Sequence, residues 1–99
     1  MPAYMVAVCE ITNPTPGLKV YSEESAKISA AHGGKYLVRG MAGEIVEGDL
    51  MRGKYIIISE FPSMANLQAF FNDPEYQEVK KNREGTGHYE IGFFKAPSA

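Results

Sequence analysis

Ala31-His32-Gly33-Gly34-Lys35-Tyr36-Leu37-Val38-Arg39-Gly40 is where a helical periodicity hands over to an extended one. Upstream, Leu18, Tyr21, Ser25 and Ile28 recur at the spacing of one helical face, with Glu23, Glu24 and Lys27 mostly on the other side. Thr15 is placed to cap that helix, and Pro16 takes its first position, where a missing N–H costs nothing. The glycine pair closes it, because Gly33 or Gly34 can adopt a left-handed backbone without a Cβ penalty. Lys35 to Met41 then reads as a strand. The same junction sets an imidazole, His32, beside a helix C-terminus that favours a cation, with a fixed charge, Arg39, on the next strand.

Working outward, Ala3 to Ile11 (AYMVAVCEI) is a first strand, interrupted by turn chemistry at Thr12-Asn13-Pro14. Gly43 to Gly48 is a short candidate strand, expected to form a hairpin with Lys35–Met41. Lys54 to Phe61 (KYIIISEF) is the clearest strand of the chain, and Pro62 ends it. Ser63 caps a helix carrying Met64, Leu67, Phe70 and Phe71. Asp73 caps a second piece that starts at Pro74 and presents Tyr76, Val79, Lys80 and Arg83 on one face. Gly85-Thr86-Gly87 leads into a last strand, His88 to Phe94, and Lys95 to Ala99 is expected to fray. The order is strand, helix, strand, short strand, strand, helix, strand. It is an α+β pattern of the ferredoxin-like type, an antiparallel sheet with helices on one face.

Ninety-nine residues make one domain, 1–99, at the small end of what one hydrophobic core can stabilise. A formal charge of −2 gives no electrostatic reason to bind nucleic acid or an anionic membrane. No apolar run approaches the roughly 20 residues that span a bilayer. Met1-Pro2-Ala3-Tyr4 lacks the basic and apolar regions of a secretory signal. The single cysteine, Cys9, has no internal disulfide partner, which fits a reducing compartment, by default the cytoplasm. Its apolar neighbours mark it as a buried, inert thiol. Two histidines and one cysteine, far apart in sequence, form no metal pattern, and Gly85-Thr86-Gly87 lacks the context of a phosphate loop. No cofactor is expected.

Two of the strands are apolar on both faces. Tyr4, Val6 and Val8 alternate with Met5, Ala7 and Cys9, and Tyr55 and Ile57 with Ile56 and Ile58. An antiparallel sheet with one face in water reads apolar-in, polar-out, and these strands do not. Two helices cover one face, and no segment remains to cover the other. A second copy packed sheet to sheet solves this by two-fold symmetry, so a homodimer of the α/β-barrel type is expected.

Five polar residues are candidates for a site: His32, Arg39, Glu60, Tyr76 and Arg83. Glu60 ends an apolar strand on the side of Ile56 and Ile58, where alternation predicts a core-facing carboxylate in need of a counter-ion. Arg39 and Arg83 are the natural partners, either as a structural salt bridge or as a functional cluster. His32 reads as a dipole partner of its helix or as a general acid–base. Tyr76 reads as a core aromatic whose hydroxyl could reach a cleft. Lys80 and Lys81 look solvated, and His88 looks exposed.

The segment 31–40, then Glu47-Gly48-Asp49, Ile58-Ser59-Glu60-Phe61-Pro62-Ser63, and Pro74-Glu75-Tyr76 with Arg83, resemble the family called domain of unknown function 1330. The resemblance covers nearly the whole chain and implies a ferredoxin-like, dimeric α/β-barrel fold. Its wider superfamily includes cofactor-independent monooxygenases, haem-degrading proteins and chlorite dismutase-like proteins, and no metal or haem ligands of those relatives are matched here. The resemblance carries over His32, Arg39, Glu60, Tyr76 and Arg83 as the family's polar positions. Met41 departs from it, standing where the pattern often has another glycine. Three functional readings follow. One is a binding protein for a small organic anion, clamped by Arg39 and Arg83 with Tyr76 nearby. Another is a cofactor-independent, monooxygenase- or isomerase-like enzyme with His32 as acid–base, Arg39 stabilising charge and Glu60 beside them. The last is a purely structural or interaction protein.

Overall fold

Alternation of buried and half-buried residues along Ala3–Ile11 makes it the first strand, β1, of a sheet with one covered face. The computed structural model describes residues 1–97. After β1 come α1 (Pro16–Ala31), β2 (Lys35–Met41), β3 (Tyr55–Phe61), α2 (Met64–Asn72), α3 (Pro74–Lys80), a single 3₁₀ turn at Lys81–Arg83, and β4 (Gly87–Lys95). The sheet has four strands in the order β2-β3-β1-β4, and every pairing is antiparallel. Helices lie on one face only, and the molecule is 16 Å across its thinnest axis. This is the α+β, ferredoxin-like architecture.

The core forms where α2 and α3 meet the sheet. Ala3, Met5, Ile28, Phe61, Leu67, Phe70 and Tyr76 are buried together. Their rings pack in series, Phe61 stacked on Phe70 at 5.4 Å and Phe70 tilted against Tyr76 at 4.6 Å between centroids. The α2 helix starts as the sequence dictates, with Ser63 Oγ accepting from the Asn66 N–H. Asp73 caps α3 by accepting from the Glu75 N–H, with Pro74 opening the helix. Pro16 opens α1, but the Thr15 side chain makes no capping bond; its carbonyl accepts from the Leu18 N–H instead.

The glycine junction has two separate jobs. Gly33 takes φ +85°, the left-handed turn that ends α1. Gly34 allows a close approach: a Cβ there would lie 2.4 Å from Ser29 Oγ and 2.7 Å from the Phe61 ring.

Three expectations are corrected. Gly43–Gly48 is not a strand; residues 42–54 are an irregular connection, and β2 pairs with β3 alone. Gly48 and Gly53 take φ +78° and +72°, outside extended geometry, and Glu44, Glu47 and Asp49 supply little to pack on a sheet. Lys95 closes β4 and the Ala96 N–H donates to the Pro2 carbonyl, so the tail is tied down there; Ser98 and Ala99 lie outside the described residues. The third concerns Glu60. The covered face of β3 is the one carrying Ile57, Ser59 and Phe61, so Ile56, Ile58 and Glu60 share the open face. Glu60 therefore sits where a charge can remain hydrated.

Candidate functional site

The inward face of α1 is lined by small polar side chains. Ser22, Ser25 and Ser29 follow one another at helical spacing, and Ser25 and Ser29 are buried. Serines cannot reach across to the strands, and the α1 backbone lies nearer α3 and the turn after it than the sheet. A cavity of about 320 Å³ remains between α1 and the sheet. Met5, Cys9, Ile57 and Ser59 form its floor, Tyr21, Tyr36, Tyr55 and Tyr89 its aromatic walls, and Phe70 is also on its lining. The size is that of a small-molecule site with a mostly apolar lining and few polar groups.

Arg39 projects from β2 along this cavity. Its Nη2 donates to Ser22 Oγ at 2.7 Å and to the Ser22 carbonyl at 3.3 Å, and the guanidinium lies 4.4 Å from the Tyr36 ring centroid. Among the described residues it has no carboxylate within ion-pair distance. Lys19, paired with Glu23 at 4.0 Å, is the other cation of the lining, which among the described residues contains no acidic side chain. Arg83 stands behind the wall, 5.3 Å from the Tyr21 ring and 4.6 Å from the Tyr89 ring. Among the described residues Arg39 is thus the cation of the lining that has no carboxylate partner.

Tyr21, Tyr36 and Cys9 of the lining, and Tyr76 behind it, are held neutral. Burial pushes the Tyr21 hydroxyl well above its ordinary range, and its contact with Tyr76 adds to the effect. The Tyr21 and Tyr76 hydroxyls lie 2.9 Å apart, and burial raises Tyr76 too, against the opposing hydrogen bond and Arg83. Burial likewise raises Tyr36, opposed by Arg39, and the Cys9 thiol, opposed by Arg83. These groups are hydrogen-bond donors at neutral pH, not bases.

The structure does not gather the five sequence candidates. Arg39 lines the cavity. Tyr76 is 1% exposed, a core ring that meets the site through Tyr21 and through Phe70. Arg83 reinforces two of the walls. His32 is off the cavity, at the end of α1, where its Nε2 lies 2.9 Å from Asp73 Oδ2 and its ring meets the edge of Phe70. That bond, with the Glu75 N–H, holds the Asp73 carboxyl below its usual range. The pair joins the end of α1 to the cap of α3. Glu60 is neither near Arg39 nor near Arg83; its partner is Lys35, at 3.6 Å and directly across the β2–β3 register. The sequence reading missed Asp73 as the partner of His32, and it missed the serines. Their signal was present, since residues 22, 25 and 29 share the face of Leu18 and are all small and polar.

A family model, domain of unknown function (DUF1330), matches residues 2–96. The chain belongs to the DUF1330 family. No functionally curated protein matches it. Among solved structures, this DUF1330 chain is similar to a protein of unknown function from Rhodopseudomonas palustris, 21% identical, TM-score 0.73, covering 99% of this chain and 84% of that one. It is also similar to SnoaB from Streptomyces nogalater, described as a cofactor-independent oxygenase. That match is 12% identical with TM-score 0.70, covering 99% of this chain and 95% of that one. A dimeric ferredoxin-like protein of unknown function from Thermobifida fusca is 12% identical with TM-score 0.67, covering 97% and 92%. At these identities the likeness establishes the shared ferredoxin-like fold. Among the described residues no helix is long and apolar enough to cross a membrane, and no group of three His, Cys, Asp or Glu is placed to hold a metal ion.

Proposed function

We propose that this protein binds a small organic anion with a flat apolar body, in the cavity between α1 and the sheet. The observation that carries the reading is Arg39, a cation held by Ser22 at the edge of a tyrosine-walled cavity that contains no acid. A carboxylate or phenolate supplies the missing counter-charge, and the aromatic walls cover the rest of the molecule. Arg83 acts through the ring walls and adds to the positive potential, and Tyr76 fixes Tyr21. The acid–base reading, with His32 as the catalytic group and Glu60 beside it, has less support. The imidazole is engaged by Asp73 away from the cavity, and Glu60 lies on the opposite face of the sheet.

The working form is a homodimer. Tyr4, Val6, Val8, Val38, Ile56, Ile58 and Phe94 share the sheet face that no helix covers. The connection between β2 and β3 adds Val46 at 88% exposure and Leu50 at 92%. A second copy buries this surface, and the Thermobifida fusca protein of the same fold is described as dimeric. The cytoplasm is the compartment that suits a buried free Cys9.

Thermal shift with cinnamate and benzoate tests the binding reading. Saturable stabilisation is expected for the wild type, by mass action on the folded state. Arg39→Ala should weaken it by about tenfold or more, the loss of one charge-assisted pair. Equal stabilisation of wild type and variant would contradict it.

A further inference from the structure

We infer that Ser59 is a second polar anchor of the cavity, and that the bound molecule carries a hydroxyl opposite its anionic end. The inference rests on the binding reading and names the chemistry of its ligand. Ser59 is 1% exposed and sits on β3, one of the two central strands of the sheet, with its side chain on the cavity floor. Among the described residues its Oγ has no hydrogen-bond partner. Buried hydroxyls are nearly always paired, and α1 offers serines across the same space without closing on it. A hydroxyl left open on the floor of a cavity is the mark of a group that meets something entering that cavity.

The register gives the separation of the two anchors. Arg39 pairs with Ile57 and Tyr36 with Ser59, so the hydroxyl lies two residues further along β3 than the arginine. That is about 7 Å along the strand, on the same face. Met5 pairs with Ser59, and Phe70 lies on the same lining. Ser59 therefore sits among apolar side chains, whereas Arg39 is exposed. A para-substituted aromatic acid spans this arrangement, with its carboxylate on Arg39, its ring among the tyrosines and its hydroxyl on Ser59. Two of the four wall tyrosines have their hydroxyls engaged elsewhere. Tyr21 is bonded to Tyr76, and Tyr89 to Thr86 at 2.6 Å.

Calorimetric titration of para-hydroxycinnamate and cinnamate into wild type and Ser59→Ala tests the assignment. Wild type should bind the hydroxylated acid about tenfold more tightly than cinnamate, the value of one buried hydrogen bond. Ser59→Ala should abolish that preference, leave cinnamate binding unchanged, and unfold no earlier than wild type, because it removes an unpartnered polar atom. The same preference in both proteins overturns the assignment while leaving the binding reading intact, as does the absence of any preference in wild type. Failure of both acids to bind wild type overturns the binding reading and the anchor together. A fall in the melting temperature of Ser59→Ala with unchanged affinities assigns Ser59 to the fold and also overturns the inference.

Discussion

Ile58 is the centre of the uncovered sheet face, and Ile58→Asp is the substitution that interrogates it. In register, Ile58 is flanked by Val6 on β1 and Val38 on β2, so it lies in an apolar row crossing three adjacent strands. Val38 is 44% exposed and Phe94, on the same face, 55%, values that a single copy leaves in water. Fully burying an isoleucine is worth about 1.5–3 kcal/mol, and two-fold symmetry places the side chain in the interface twice. Ile58 is already partly buried in a lone copy, so at most about a third of that value is left for the interface, and the substitution removes about 1–2 kcal/mol of apolar burial from association, about one decade in Kd. An aspartate is too short to carry its charge to the rim, so the unfavourable desolvation adds to this loss. The lone copy loses the burial it already gives Ile58, with about 1 kcal/mol more for poor β-propensity, a cost that the fold carries with or without a partner. Sedimentation velocity across a concentration series reads the effect, with circular dichroism confirming the fold. Wild type should sediment as a dimer at micromolar concentration and Ile58→Asp as a folded monomer. A monomeric wild type, or a variant that dimerises as well as wild type, would refute the reasoning.

Two further outcomes follow from the helix junctions. Gly34→Ala forces a methyl into Ser29 and the Phe61 ring, and should cost about 1–3 kcal/mol, the range for overpacking a tight site. In a domain of this size that lowers the melting temperature by roughly 4–8 °C per kcal/mol; an unchanged transition would show that the approach relaxes freely. Asp73 is held below its ordinary value of 3.8 by His32 and the Glu75 N–H, so its ionised form stabilises the folded state. That contribution is complete above the unfolded value and fades as pH falls through the lower folded one. The stability gap between wild type and Asp73→Asn in urea should accordingly be largest near neutrality and shrink below pH 3.8, and a gap that widens on acidification would contradict it.

Topology and site were not equally legible in the sequence. Pro16, Gly33, Pro62, Ser63 and Pro74 punctuate the chain through local chemistry, so the helices and the four strands follow from turn and cap preferences together with apolar periodicity. The segment 43–48 went astray because two glycines and a short apolar pair resemble a hairpin strand, while left-handed geometry at Gly48 removes it from the sheet. Glu60 shows the deeper difficulty. Period-two alternation correctly grouped it with Ile56 and Ile58, but a strand apolar on both faces does not say which face the helices cover. Arg39 belongs to the cavity because Ser22 is small and close enough to hold it, a fact of helix placement that spacing in sequence does not contain. The serine face of α1 was there to be read, yet its meaning depends on an empty space, and residues report what they fill more readily than what they leave open.

The proposed ligand lodges between α1 and the sheet, and intermolecular nuclear Overhauser effects locate it most directly. With cinnamate in excess over isotopically labelled protein, ring protons should show contacts to the methyl groups of Met5 and Ile57, which line the cavity floor. Contacts confined to Val8 or Phe94 on the opposite face, or none to the cavity methyls at saturation, would contradict it.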